Sequence, residues 1–413
     1  MANRRRAPQP ERISGIQNRQ DQEQALETFV RAFSGPDKME QHMTRCLWKA
    51  GFEPEHTRVV VAGGRVVSAV TMAPRTIRFG PVGVPAMTVG PVGTHNHHRK
   101  QGYSFAAMND ASTYMAEHGY LVAYLQGIPG YYYRYGYYPY NVRTMVEINR
   151  KAAQGQAGSG RLVRMRREHL PDVRRVYDEA CARRTCTAIR DDALWDWMLS
   201  RGNPSWMFRN PRVIIDGSGD VCGYIASDKD RLEVREIVVR QDEASYRAAL
   251  AVLVREARRY ESASITLPLP YDDGLAVFLR QFAGSQTKMI AHPTGGLLMK
   301  VIDFQALMQR LEPVFAERWK AAVSALPGVR FSMSCELGAV SVSIERGSLK
   351  IGAAARGVRV NVPQRWLSGL LTGYYSVQDV AGREGADVPA RLLPYLQVLF
   401  PAGWPHVYQG DNY

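Results

Sequence analysis

Cysteine is scarce in this 413-residue chain, and the few present do not group. The five, at 46, 181, 186, 222 and 335, are odd in number and scattered. Cys181 and Cys186 stand too far apart for a Cys-x-x-Cys pair, and no histidine pair lies near them. That excludes a disulfide scaffold, leaves reduced and mostly structural thiols, and gives no reason to expect a metal. Long apolar runs are missing too: none reaches the roughly 20 residues that span a bilayer. The opening MANRRRAPQPERISG is basic but has no apolar stretch behind it, unlike a secretory signal, so a cytoplasmic protein with no membrane partner is expected. Acid is in short supply, with 39 Asp and Glu against 53 Lys and Arg and a formal charge of +14. Five arginines and one glutamate fall in residues 1–20, which reads as a disordered basic tail. The excess base favours an anionic ligand without choosing between a nucleotide and a nucleic acid, and no nucleic-acid motif is present.

What is there is globular. Apolar residues make up 45% and charged residues 22%, and the length calls for two to four domains. Gln24–Phe33 and Lys38–Ala50 carry apolar residues at helical spacing, separated by Ser34-Gly35-Pro36. Thr57–Ala62 and Val66–Met72 flank Gly63-Gly64 as a hairpin, followed by Arg75–Phe79 and a strand that ends near Thr94. A basic loop comes next. Gly102 and Ser104 then open a helix whose stripe is Phe105, Met108, Ala111 and Met115; Gly119 stops it, and Leu121–Leu125 is the next strand. After Val146–Ile148, the small residues 152–160 read as a linker, and the pattern partly restarts. Helices are expected at Leu170–Ala182, Asp191–Ser200, Ala244–Arg259 and Asp272–Phe282. Strands are expected at Val213–Ile215, Val221–Ile225, Leu232–Val239, Ile265–Leu269 and Gly296–Ile302. From Asp303 the texture changes to one helix, Phe304–Trp319, four short alternating strands and two late helices.

The strand, basic loop, helix and strand of residues 89–125 suit an anion, because the first amides of a helix lack internal partners and carry the positive end of its dipole. The spacing Arg99-x-x-Gly102-x-Ser104 resembles the pyrophosphate loop of the GNAT acyltransferases, with Ser104 in place of the last Gly or Ala. Tyr132-Tyr133-Arg134-Tyr135-Gly136-Tyr137 resembles that family's later aromatic-x-x-x-Gly-aromatic turn. Two such units, a third α+β unit, Leu399-Phe400-Pro401 and the closing Asp411-Asn412-Tyr413 together resemble the Eis-like acetyltransferases.

That resemblance implies an α+β fold: tandem GNAT-like domains, each a mixed sheet flanked by helices, followed by a sterol-carrier-like α+β domain. It divides the chain into the tail 1–20, an acetyl-CoA-binding domain 21–150, a degenerate second domain 151–303, and the sterol-carrier-like domain 304–413. The second unit has Arg240 to Ser245 where the first has its loop, with two acids and no glycine. The implied activity is acetyl-CoA-dependent transfer to a primary amine of a polyamine, an aminoglycoside-like molecule or a lysine side chain, without metal. Carried over by position, Val92 and Thr94 offer backbone groups to the pantetheine arm, while Arg99, Lys100, Gly102 and Ser104 hold the pyrophosphate. Tyr132 is the acid that protonates the leaving thiolate, with Tyr131 and Tyr133 as one-step alternatives. The main-chain carboxylate of Tyr413 assists deprotonation of the amine. Phe33 and Asp37 line the acceptor pocket. The family's acid two residues after that phenylalanine is Gly35 here, which weighs against aminoglycosides. Hexamers are usual in the family. His95, His97 and His98 read as phosphate neighbours or solvated loop residues, and most of the eight tyrosines between Tyr124 and Tyr140 as packing. A lipid or small-molecule carrier using the third unit is the alternative, and a polyanion-binding regulator rests on charge alone.

Overall fold

A strand buried on both faces shows no polar alternation, and the residues between Thr57 and Thr94 read that way. In the computed structural model, which describes residues 9–33, 52–128, 130–200, 208–290, 296–322, 326–345, 347–354 and 357–411, they form the centre of the first sheet. Strands β1 (Arg12–Gly15), β2 (Thr57–Ala62), β3 (Arg65–Phe79) and β4 (Val82–Thr94) run antiparallel in that order. Helices α1 (Arg19–Ala32) and α2 (Tyr103–Glu117) cover opposite faces of the sheet. Val59 and Val61 pack with Ala25 and Phe29 of α1. Val60 and Ala62, one residue out of step, pack with Ala107, Met108 and Ala111 of α2. Strand β5 (Val122–Gly127) then lies parallel to β4.

The remaining strands couple the units. The short β6 (Tyr138–Pro139) ends the first sheet, while β7 (Arg143–Asn149) leaves it and pairs with β13 (Ser264–Leu267) and β14 (Gln286–Ile290). In return β15 (Gly296–Val301), late in the second unit, enters the first sheet between β5 and β6. The second unit also has an antiparallel sheet of β8 (Gly160–Arg164), β10 (Arg212–Asp216), β11 (Val221–Ser227) and β12 (Val234–Val239). A further strand, β9 (Thr185–Ala188), pairs with β3. Helices α3 (Arg150–Gln154), α4 (Leu170–Cys181), α5 (Asp192–Leu199), α6 (Glu243–Arg259) and α7 (Gly274–Leu279) complete this unit.

The third unit starts with α8 (Phe304–Arg310) and α9 (Glu312–Ala321) and continues with β16 (Val329–Cys335), β17 (Gly338–Glu345), β18 (Ser348–Ala353) and β19 (Val358–Asn361). Helices α10 (Gln364–Thr372), α11 (Val377–Ala381) and α12 (Leu393–Leu399) follow. Its core is continuous with Ala86, Tyr124 and Val301 of the first sheet. No helix among the described residues is long and apolar enough to cross a membrane.

Four sequence expectations need correction. Residues 12–20 are not part of a disordered tail: β1 pairs with β2, and Arg12 bonds Asp21 at 2.6 Å just inside α1. Residues 152–154, at the start of the expected linker, belong to α3, whose first turn is capped by the Asn149 side chain on the amide of Lys151. Phe304–Trp319 is two helices, since Pro313 opens α9 and cannot sit inside a continuous one. Phe105 is 50% exposed, and the buried stripe of α2 is carried instead by Tyr103, Ala107, Met108, Ala111, Tyr114 and Met115. The expected helix at 38–50 lies outside the described residues.

The chain end returns across the second unit. The His406 amide bonds Thr185 O at 2.9 Å, and its ring is fully buried against Tyr408. Burial, reinforced by Arg184, Arg143 and Arg190, lowers its pKa to about 3. A histidine depressed in the folded state contributes its stability above the unfolded value of 6.5 and loses it as the pH falls toward 3. The stability difference between His406→Phe and the parent chain, measured by urea unfolding, should therefore shift by about 2 kcal/mol in favour of the variant between pH 6 and pH 4.5.

Candidate active site

In an antiparallel strand, successive residues turn their N–H and C=O groups to opposite edges. The amide of His95 bonds Val67 O at 2.9 Å and the carbonyl of Gly93 accepts from Ser68 Oγ at 3.0 Å, so these residues face β3. Val92 and Thr94 therefore turn their backbone groups to the other edge. There β5 pairs with β4 only from Ala86 to Thr88. Beyond Thr88 the two strands part, and no described strand pairs with the far edge of β4.

The loop below this opening runs from a short turn at Asn96–His98 into α2. Lys100 at φ +63° and Gly102 at φ +86° bend the chain so that Gly102 caps the helix, with nothing within 4 Å of where its Cβ would be. No side-chain hydrogen bond from Gly102 caps this end, the arrangement in which a helix start can take an anion. Ser104 does not cap the helix as the sequence suggested. Its Oγ lies 3.2 Å from the hydroxyls of both Tyr131 and Tyr135. The corresponding turn of the second unit is closed by its own acid: Asp242 accepts from the amide and the hydroxyl of Ser245 at the start of α6, in the place an anion would take.

Arg99 and Lys100 are exposed. Arg99 also donates to Ala32 O at 3.0 Å, and Asn96 donates to Arg31 O at 3.2 Å, where the negative end of α1 favours a cation. Phe33, at the end of α1 next to this contact, is 45% exposed. Asp37 and Tyr413 lie outside the described residues. His95, His97 and His98 cluster with ring separations of 5.4 and 5.7 Å around His95. Burial and then the charges of Arg31, His98 and His97 lower the His95 pKa, so it is neutral at pH 7. Among the described residues no group of three or more His, Cys, Asp and Glu side chains is arranged to hold a metal ion.

The tyrosine turn faces the same opening from the end of β5. The ring of Tyr132 lies on Gly127, where a Cβ would come within 2.4 Å of its Cδ2 and Cε2 atoms, so only glycine admits it. The hydroxyls of Tyr131 and Tyr135 are 3.3 Å apart and both reach Ser104. Burial raises the pKa of Tyr135 to about 12, so it stays a neutral partner. Tyr133 instead packs its ring on Tyr138 at 5.5 Å. The structure thus brings Ser104 to the tyrosine turn through Tyr131 and Tyr135, and Arg99 to the end of α1 at Ala32. Sequence reasoning missed the hydroxyl cluster of Ser104, Tyr131 and Tyr135, for which the only signal was the density of tyrosines. Gly102→Asp puts a carboxylate over the open amides, and titration calorimetry with coenzyme A should show binding at least ~10-fold weaker.

Comparison with known proteins agrees with this geometry. Residues 16–140 match the family model of the acetyltransferase (GNAT) domain. No curated protein matches the sequence. Among solved structures, a GCN5-related N-acetyltransferase from Kribbella flavida is similar over 96% of this chain and 97% of its own, at 14% identity and a TM-score of 0.71. A probable N-acyltransferase from Enterococcus faecalis is similar over 96% and 98%, at 15% identity and a TM-score of 0.75. Eis1 from Mycobacterium abscessus is similar over 97% and 100%, at 19% identity and a TM-score of 0.66. At these identities the likeness is one of fold. With the opening, the uncapped helix and the matching domain on one set of residues, the chain carries a GNAT acetyltransferase domain and is an enzyme of the GNAT N-acetyltransferase type.

Proposed function

We propose that the protein transfers the acetyl group of acetyl-CoA to a primary amine on a small molecule or a lysine side chain, in an Eis-like arrangement. In that arrangement the second unit is a GNAT-like domain without a cofactor loop, and the third is sterol-carrier-like. The observation that carries the reading is the parting of β4 from β5 above the uncapped start of α2. The backbone groups of Val92 and Thr94 pair with the pantetheine arm. The amides at Gly102 and Ser104, with Arg99 and Lys100, hold the pyrophosphate. Closure of the second unit's turn by Asp242 supports a single cofactor site per chain.

The amine nitrogen attacks the thioester carbon, the carbon–sulfur bond breaks, and the thiolate takes a proton from Tyr132. The ammonium proton passes to the main-chain carboxylate of Tyr413, directly or through water. Phe33 and Asp37 contribute to the acceptor pocket. Orientation of the thioester by the loop and by β4 supplies much of the rate.

Tyr132→Phe and Tyr131→Phe separate the candidate acids, with free-thiol release from acetyl-CoA measured against a panel of polyamines, aminoglycosides and lysine peptides. Tyr132→Phe should lower kcat roughly 100-fold with the KM for acetyl-CoA nearly unchanged, and Tyr131→Phe should lower it less than tenfold. The reverse order would move the acid to Tyr131. Absence of thiol release with every amine, together with no coenzyme A binding, would overturn the reading.

A further inference from the structure

Two side chains stand out in water beside the start of α2, and neither has a part in the chemistry above. Phe105, in the first turn of α2, is a large apolar ring with half of its surface exposed. Arg134, in the middle of the tyrosine turn, is exposed as well. Its Nε donates to the Tyr131 carbonyl at 3.0 Å, and among the described residues no carboxylate forms an ion pair with it. A chain of contacts joins the two. The ring of Phe105 lies 6.0 Å from that of Tyr135, the Tyr135 and Tyr131 hydroxyls are 3.3 Å apart, and the Arg134 guanidinium lies over the Tyr131 ring at 4.8 Å. Both hydroxyls reach Ser104, the neighbour of Phe105, at 3.2 Å.

The tyrosine turn is thereby fastened to the first turn of α2, with one tyrosine ring between Ser104 and the cation. Stacking on Tyr131 and the Nε bond orient the guanidinium plane. Neither terminal nitrogen bonds a described residue, which leaves the fork that takes a phosphate through two parallel bonds. Arg99, the arginine of the loop, is turned instead to Ala32 O at the end of α1. Coenzyme A carries its pyrophosphate and a further phosphate on the same ribose, which also bears the adenine. A loop that holds the pyrophosphate therefore leaves a purine and a phosphate dianion one sugar away. An exposed aromatic ring and an unbalanced arginine are the groups that complement them.

We propose that Phe105 and Arg134 form the site for the nucleotide end of coenzyme A: Phe105 stacks on the adenine, and Arg134 binds the 3′-phosphate and so distinguishes coenzyme A from dephospho-coenzyme A. This rests on the acetyl-CoA reading given above. Neither residue touches the thioester, so they set affinity and cofactor choice and take no part in the transfer itself.

The test is titration calorimetry of the full chain with coenzyme A and with dephospho-coenzyme A, in the parent and in Arg134→Gln, Arg134→Lys and Phe105→Ala. The parent should bind coenzyme A about tenfold more tightly than dephospho-coenzyme A. Arg134→Gln should weaken coenzyme A about tenfold and leave dephospho-coenzyme A within about twofold, so that the preference disappears. Arg134→Lys keeps the charge without the fork and should fall between. Phe105→Ala should weaken both ligands by roughly 5- to 20-fold, because both carry the purine. An equal loss for the two ligands in Arg134→Gln would make Arg134 a support for Tyr131 and overturn the phosphate contact. Equal affinity of the parent for both ligands, or undiminished affinity in Phe105→Ala, would overturn the site as well. If the parent binds neither ligand, the acetyl-CoA reading fails and takes the inference with it; binding without preference sinks the inference alone.

Discussion

Backbone hydrogen bonding along β4 is the constraint on which the site depends. On one edge β4 is paired with β3 from Val82 to Thr94, so it cannot move. On the other it keeps β5 for three residues and then loses it. Unpaired backbone groups beside a sheet are costly when buried and useful when a ligand supplies the missing bonds. The loop, the uncapped start of α2, the docked end of α1 and the tyrosine turn are all arranged around that parting. In the second unit the start of α6 is capped by Asp242, which accepts from the Ser245 amide. One helix start has a side-chain cap and the other has none.

The second organising feature is buried charge. Arg190, Glu236 and Asp411 are sealed among Tyr177, Trp195, Tyr224 and Tyr408, where taking an ion out of water costs several kcal/mol before pairing recovers it. Such a cluster adds little net stability, but removing one member strands the others at about 3–5 kcal/mol. The pairing is recovered only when the three side chains meet in one arrangement. His406, held neutral on the same returning segment, adds to the insistence that this stretch lie in one place.

What the sequence showed and what it hid divide along the range of the interactions. The hairpin strand Thr57–Ala62 was legible to the residue, because β-branched residues run up to Gly63 and Gly64 and both glycines take positive φ. The turn into α2 was legible because it is a matter of local backbone geometry at Lys100 and Gly102, both at positive φ. The contacts of the Ser104 hydroxyl were hidden, since near a helix start it looks the same whether it caps the helix or reaches Tyr131 and Tyr135, 27 and 31 residues on. The turn of tyrosines could be aligned but not oriented; contact with Gly127, Ser104 or Tyr138 distinguishes three adjacent rings that spacing leaves equivalent. Arg190 had no signal at all, because its hydrogen-bond partners Tyr224, Glu236 and Asp411 are 34, 46 and 221 residues away. For the same reason the pairing of Gly296–Val301 with β5 was invisible, although the strand itself was plain from its composition.

That last pairing bears on how the protein comes into being. Translation delivers β5 at Gly127, but the neighbour that covers its open edge is not made until Gly296. At roughly 5–20 residues per second, the nascent first sheet waits about 10–30 s on the ribosome with an apolar edge strand unpaired. An edge of that kind invites pairing with other chains. The acetyltransferase domain is contiguous from 16 to 140 as a sequence family, yet as a physical object it is finished only when the chain is nearly three-quarters made.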